Sequence, residues 1–424
     1  MTRIAEARAR FALALAVGLA LATGASALES QKKAPDEDPA FSRAVIYKQV
    51  EELRDIGRRM FADPALSASG RMSCASCHDP AHGFSPANAA SVQLGGENLD
   101  QPGLRAAPSL TYKQATPAFT EHFHESDDDG DESVDAGPTG GLTWDGRVDQ
   151  SNQQALIPLF SDVEMANTAR AALNALIEAG YGAALRRALG GRMPDGKDAA
   201  LEAGAKALQV YQETSQEFFP YSSKYDAYLG GGAVLSEQEK RGLDLFNDEK
   251  KGNCASCHVS ASPRPRVRPQ LTDNGFIALG LPRNMAIAAN ADPAFFDLGL
   301  CGPARTDLRD RTEYCGMFKA PSLRNVALRK AFFHNGAVHD LRAAVAFYVE
   351  RDTKPEKWYP RRPDGSIDKF DDLPAQYHDN INVDPPFGGK PGDAPALTDS
   401  EIDDIVAFLE TLTDGYQPLR PGQR

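Results

Sequence analysis

The sequence predicts a mainly α chain, built as a tandem of two related halves with long loops. Gly57-Arg-Arg-Met-Phe61 stands ahead of one Cys-Ala-Ser-Cys-His block, and Gly242-Leu-Asp-Leu-Phe246 stands ahead of a second. Each half also carries a later stretch whose apolar residues recur at helical spacing. In the first these are Leu201, Ala205, Leu208 and Tyr211 or Gln212; in the last they are Ile402, Ile405, Val406, Leu409 and Leu412. Strand-like alternation is scarce, and the chain between helices is rich in Gly, Pro, Asp and Asn. Such long loops fit a compact protein only if a large buried group supplies part of the core.

Taken from the N-terminus, Arg3, Arg8 and Arg10 precede an apolar run from Phe11 to Ala22, and Ala25-Ser26-Ala27 offers a small-x-small cleavage site. This is the pattern of an export signal over residues 1–27. The run is too short to span a bilayer, and no later stretch is long and apolar enough. Residues 28–40 read as a polar lead. The 397 residues beyond the signal are too many for one core, so two domains are expected, 41–232 and 233–424, divided at Gly230-Gly231-Gly232. Just past that break, Ser236 and Glu239 form a capping box for a helix burying Leu243, Leu245 and Phe246. Thr398 and Glu401 do the same for the last helix. The net charge of −13 becomes −15 once the signal removes three Arg and one Glu. That excess of carboxylates excludes nucleic acid and anionic membrane surfaces as partners.

Cys74-Ala-Ser-Cys77-His78 and Cys254-Ala-Ser-Cys257-His258 carry the chemistry. Two thiols one helical turn apart can form thioethers to neighbouring haem vinyl groups, and the next residue then projects its imidazole onto the iron. A zinc site would leave each His unexplained, and a dithiol redox pair needs neither the His nor the duplicated block. Two covalent c-type haems are therefore expected, on Cys74 and Cys77 with His78, and on Cys254 and Cys257 with His258. Cys301 and Cys315 remain, and in an oxidising compartment they are expected to form a disulfide. An electron carrier fills both axial positions of each iron, whereas a peroxidase needs one open iron and a placed acid–base group.

The chain resembles the bacterial dihaem cytochrome c peroxidases, and within them the MauG-like branch. Besides the haem motifs, the resemblance rests on Trp144-Asp-Gly-Arg147, on Gln153-Gln154 through Pro158 to Val163-Glu164, on Ala320-Pro-Ser-Leu-Arg-Asn-Val326, and on Phe333-His334-Asn-Gly336. It implies two cytochrome c-like haem domains in a periplasmic peroxidase. Glu164 would be the acid–base group over the first haem, with Gln154 and Pro158 lining its pocket and Trp144 passing electrons between the haems. A carboxylate suits that role because it can take a proton from one peroxide oxygen and return it to the other. Typical members carry a distal His between the first motif and the Trp, but residues 84–116 contain none. His82 follows His78 too closely, and His122 and His124 fall late, beside the solvated acidic run from Asp127 to Asp131. A five-coordinate first haem is thus expected.

Two residues compete for the sixth position of the second haem, Tyr348 and Met317, which lie 90 and 59 residues after His258. Tyr348 shares a helical face with Leu341 and Val345, and MauG-like members place Tyr there, so Tyr348 is favoured. A Tyr ligand would lower the potential of that haem and a Met would raise it. The family's inter-haem calcium ligands fall on Ala106, Arg329 and Ala331, so that ion is expected to be absent, with Arg329 or Lys330 supplying positive charge instead. The surface Trp that the branch's eponymous member uses is matched by Gly252, and the only other Trp is Trp358. The Pro263-to-Pro269 segment, with three Arg, is expected to hold haem propionates or to dock an acidic partner. Hydrogen peroxide would be the oxidant. The electrons would come from a small periplasmic cytochrome or copper protein, or from Trp or Tyr of a partner protein; a plain dihaem carrier is the non-catalytic alternative.

Overall fold

The structure, a computed structural model, describes residues 42–124, 135–191, 198–262, 264 and 267–418. The expected signal and lead, the acidic run 127–131, and residues 263, 265 and 266 lie outside the described residues. Residues 1–46 and 47–424 form separate compact units, and of the first only residues 42–46 are described, at the start of α1 (Arg43–Phe61). Among the described residues no helix is long and apolar enough to cross a membrane.

The larger unit is mostly helical with little sheet. Beyond α1 it contains α2 (Cys74–Cys77), α3 (Ser151–Phe160), α4 (Ala169–Glu178), α5 (Tyr181–Ala188) and α6 (Ala199–Thr214). Then follow α7 (Lys224–Leu229), α8 (Glu237–Asn247), α9 (Leu341–Glu350) and α10 (Asp399–Glu410). Two antiparallel ribbons of two residues per strand complete it: β1 (Leu94–Gly95) with β2 (Gln101–Pro102), and β3 (Phe276–Ile277) with β4 (Phe318–Lys319). The capping boxes at Ser236 and Thr398 are both formed, each hydroxyl accepting from the N3 amide while the N3 Glu accepts from the cap amide. The helix ahead of the first Cys block is α1. It runs 19 residues because the apolar spacing continues upstream of Met60 through Ile56 and Leu53, both buried.

Apolar burial falls into two main clusters. One gathers Leu53, Ile56, Met60, Phe61, Leu185, Leu208, Tyr211 and Phe218. The other gathers Tyr225, Phe246, Val326, Ile402, Ile405, Phe408 and Leu409. Full burial of such side chains stabilises by about 1.5–3 kcal/mol each. The same crossing recurs in both. A Cβ on Gly57 of α1 would stand 2.1 Å from the Ala207 carbonyl oxygen of α6, and one on Gly242 of α8 would stand 1.9 Å from that of Asp404 in α10. Both glycines let two backbones touch, so the helix leading to each Cys block lies hard against the later helix of its half.

Between the clusters, buried charges pair closely. Arg324 donates to both carboxylate oxygens of Asp226, at 2.9 and 3.0 Å, and to the Pro269 carbonyl. Burial alone would raise the Asp226 carboxyl, but these bonds more than offset it and hold the group below the ordinary Asp range. Removing one partner leaves the other charge buried and unpaired. Arg324→Ala is therefore expected to lower stability by about 3–5 kcal/mol, seen as a lower urea midpoint at unchanged slope. Because the folded value is depressed, the Asp226 contribution is present above the unfolded carboxyl pKa and is lost as pH falls through the folded one. A midpoint in the variant matching the parent at neutral pH would show that the pair does not matter.

Candidate functional site

Each Cys-Ala-Ser-Cys block closes a single tight turn. The His78 amide donates to the Cys74 carbonyl at 2.9 Å, and the His258 amide to that of Cys254 at 2.8 Å. The first turn is α-helical, with the Ser73 amide held by Ser76 Oγ at 3.0 Å; the second is a 3₁₀ turn entered from Asn253 in left-handed backbone. Both leave four thiols free, whereas Cys301 and Cys315 are joined in a disulfide.

The imidazoles are held alike. His78 Nδ1 donates to the Phe84 carbonyl and His258 Nδ1 to the Leu271 carbonyl, each at 3.1 Å. Phe84 and Leu271 both have positive φ, +53° and +56°, which turns their carbonyls towards the rings. A serine then ties down the preceding residue in each half: Ser109 Oγ donates to the Gly83 carbonyl and Ser322 Oγ to that of Gln270, both at 2.7 Å. These serines lie in a repeated Ala-Pro-Ser-Leu stretch, Ala107–Leu110 and Ala320–Leu323. Burial pushes both imidazoles down to about 4, so they are neutral, with Nε2 as the free acceptor nitrogen.

Both blocks open into one cavity of about 520 Å³, whose wall includes Cys74, Cys77, His78, Cys254, Cys257 and His258. Glu164, Gln154, Pro158, Trp144 and Tyr348 line it too, so residues scattered over more than two hundred positions meet. Met317 does not line it; its backbone instead accepts from the Leu300 amide at 3.1 Å. Among the eight histidines only His78, His258 and His334 are on the wall. His82 is paired with Asp79 at 2.9 Å and His122 with Asp135 at 2.5 Å.

Glu164 faces the open cavity, yet protein surrounds it closely enough that desolvation raises its carboxyl above the ordinary Glu value despite Ser161 and Arg147. Its own carbonyl accepts from the Gly96 amide at 2.7 Å, next to β1. Trp144 is buried with its indole Nε1 donating to the Ala106 carbonyl at 2.8 Å. The turn that carries it is fixed by Asp145, which is fully buried and bonded by Arg105, Arg147 and Thr143 at 2.6–2.8 Å. Tyr348 lies near Phe333 and Phe387, and burial keeps its phenol protonated.

Three cations on the wall, Lys113, Lys319 and Arg329, make no carboxylate ion pair among the described residues, and Lys319 donates to the Gly141 carbonyl instead. Lys113 is pushed down to about 8 by burial, and its ammonium donates to Gln154 Oε1 at 3.3 Å. Arg329 is pushed down to about 10 by burial alone, and both its terminal nitrogens donate to the Ala107 carbonyl at 3.3 Å. Ala106 and Ala331 flank that guanidinium around one small recess. Free paired thiols and neutral imidazoles fit a covalent haem at each block, and Lys113 and Arg329, both acting on His78, fit anionic groups of the first.

The sequence also holds a second repeat, easily passed over. Leu142-Thr-Trp-Asp-Gly-Arg-Val148 matches Phe332-Phe-His-Asn-Gly-Ala-Val338, and each loop is closed by the same bridge, Leu142 to Val148 and Phe332 to Val338. Trp144 thus corresponds to His334, whose ring meets the indole edge-on at 6.5 Å and stacks on Phe318 at 3.4 Å. Fourteen residues further on, Pro158 in α3 corresponds to Tyr348 in α9. The matching Gly and Val of the two stretches were the available signal.

Comparison with known proteins agrees with this picture. A family model for di-haem cytochrome c peroxidase matches residues 51–233. The methylamine utilization protein MauG of Paracoccus denitrificans is 34% identical over 380 residues, covering 87% of this chain and 90% of the relative. The cytochrome c551 peroxidase of Pseudomonas aeruginosa is 29% identical over 303 residues, covering 70% and 71%. Among solved structures, the diheme peroxidase BthA from Burkholderia thailandensis superposes with a TM-score of 0.75 at 41% identity, covering 85% of this chain and 86% of that one.

Glycine at position 95 is needed by Glu164. A Cβ there would stand 2.3 Å from the Val163 carbonyl oxygen and 2.6 Å from Glu164 Cα. Gly95→Ala is expected to displace Glu164 and lower kcat/KM for peroxide by up to about 10²-fold with haem content unchanged. Parental turnover in that variant would show that Glu164 tolerates the shift.

Proposed function

Because the chain belongs to the dihaem cytochrome c peroxidase/MauG family, we propose that it is a periplasmic hydrogen-peroxide-dependent peroxidase with two cytochrome c-like haem domains, 41–232 and 233–424. Pro158 carries this proposal. It corresponds to Tyr348 in the internal repeat, and a prolyl ring has no atom that can ligate iron. The first haem would therefore keep one face free for peroxide, while Tyr348 would close the second.

When bound, the haem irons would hold peroxide and accept its two oxidising equivalents. Cys74, Cys77, Cys254 and Cys257 would form the thioethers, and the Nε2 atoms of His78 and His258 would hold the irons. Glu164 takes the proton from one peroxide oxygen and returns it to the other, so that water leaves. Desolvation suits it to both halves of that task, since a raised pKa lies nearer the working pH. Gln154, whose Oε1 accepts from Lys113, would orient peroxide in the pocket. Trp144, clamped by Ala106 and Asp145, conducts electrons between the haems. The electrons come from a small periplasmic cytochrome or copper protein. Rapid steady turnover with reduced cytochrome c is the expected result; oxidation of a partner's Trp or Tyr with no such turnover would instead favour the MauG type of reaction.

Glu164→Gln is expected to lower kcat/KM for peroxide by about 10²- to 10⁴-fold. The sign of the pH effect follows from the raised carboxyl. Below its pKa Glu164 is protonated and cannot act as base, so the parental rate should fall as pH drops through a value above that of an ordinary Glu. That acid limb should vanish in the variant, and an unchanged rate and profile would remove Glu164 from the reaction.

The calcium position follows from charge. Arg329 remains a cation at neutral pH and lines the recess together with Ala106 and Ala331, so a divalent ion there would meet a like charge with no carboxylate on the wall to offset it. Metal analysis of the holoprotein is expected to find no stoichiometric calcium, and one tightly held calcium per chain would overturn this.

A further inference from the structure

Tyr112 lines the cavity on the side of the first haem block, four residues after Pro108, whose carbonyl lies at the His78 imidazole. It is 3% exposed, and its backbone is left-handed at φ +63°. Its hydroxyl donates to Asp414, at 2.8 Å to one carboxylate oxygen and 3.0 Å to the other. Asp414 also accepts from the Ser222 amide and hydroxyl and from Asn325 Nδ2, so the carboxylate is fixed in place. The Tyr221 ring meets the Tyr112 ring edge-on at 4.9 Å, and Tyr221 is half-buried, one step closer to solvent.

Charge above the rings sets the conditions for oxidising them. The Arg324 guanidinium carbon stands 4.5 Å from the Tyr112 ring centre and 4.7 Å from that of Tyr221. A cation there is attracted to a neutral ring but repelled by a ring that has lost an electron. Either tyrosine can thus be oxidised only if its proton leaves with the electron. For Tyr112 the acceptor is already bonded. Tyr221 OH instead accepts from Gln270 Nε2 at 3.0 Å. At the corresponding place in the second half stands Asn325, also left-handed at φ +61° and also bonded to Asp414, which cannot do redox chemistry. At this position of the repeat, an oxidisable residue bonded to a proton acceptor therefore belongs to the first half alone.

We propose that Tyr112, with Asp414 as proton acceptor and Tyr221 as relay, is a proton-coupled electron donor to the peroxide-oxidised first haem site. The inference rests on the peroxidase function above. Peroxide supplies two oxidising equivalents. Tyr112 gives up one electron, its phenolic proton crosses to the Asp414 carboxylate, and a neutral tyrosyl radical is left. Tyr221 or an external phenol then returns one electron while its own phenolic proton leaves to solvent, and the proton on Asp414 goes back to Tyr112. The pair gives an oxidising equivalent that finds no protein donor a defined way out, away from Trp144.

The test is freeze-quench electron paramagnetic resonance on the holoprotein after stoichiometric peroxide, without donor, alongside the optical spectrum. A tyrosyl signal that narrows on ring-deuterated tyrosine is expected. It should be lost in Tyr112→Phe, diminished in Asp414→Asn and retained in Tyr221→Phe, with the resting haem spectrum reporting an intact fold in each. A peroxide-dependent optical change without a tyrosyl signal, or a signal indifferent to Tyr112→Phe, would refute the relay and leave the peroxidase function standing. No optical response to peroxide at all would overturn the peroxidase function and the relay with it.

Discussion

The His78 and His258 imidazoles are each tied by a hydrogen bond from Nδ1 to a backbone carbonyl, and the rest of the cavity is arranged around that constraint. The carbonyls belong to Phe84 and Leu271, and both residues accept left-handed backbone to present them. Fixing Nδ1 as donor makes Nε2 the acceptor and sets the ring plane, which is what an axial ligand requires. The serine hydroxyls of the two Ala-Pro-Ser-Leu stretches then hold the preceding carbonyls, so two segments distant in sequence fix each ring. Burial of the rings keeps them neutral without any carboxylate nearby.

Given two similar cradles, function lies in the places where the halves differ. Trp144 meets His334 edge-on, Pro158 stands opposite in kind to Tyr348, and Tyr112 replaces the redox-inert Asn325. Every one of these pairs occupies a matching backbone position. The duplicated frame repeats one backbone geometry, while single side chains make the two halves chemically different.

Charge is distributed by the same economy. Around Trp144, Asp145 is surrounded by Arg105, Arg147 and, through its carbonyl, Arg305, so the turn is rigid and its carboxylate is held low although burial alone would raise it. Lys113 and Arg329, by contrast, are buried facing the cavity without a carboxylate ion pair, which suits them to an anionic occupant. Stability is thus concentrated in paired charges behind the site, and unpaired ones are kept for the cavity itself.

The local parts of this protein were legible in sequence. The two Cys-Ala-Ser-Cys-His turns, the capping boxes at Ser236 and Thr398, and the buried faces of α6 and α10 each depend on residues within a few positions of one another, so spacing alone reveals them. The resemblance added Glu164, Gln154, Pro158, Trp144 and Tyr348 as a set. What only the tertiary structure decided is their convergence. Tyr348 rather than Met317 faces the cavity because α9 turns it inward, whereas the Met317 backbone is engaged with Leu300. The carbonyls at His78 and His258, the glycine beneath Glu164 and the Tyr112–Asp414 contact join residues from about six to three hundred positions apart. Such contacts depend on how loops without periodic pattern pack, and no local spacing encodes that.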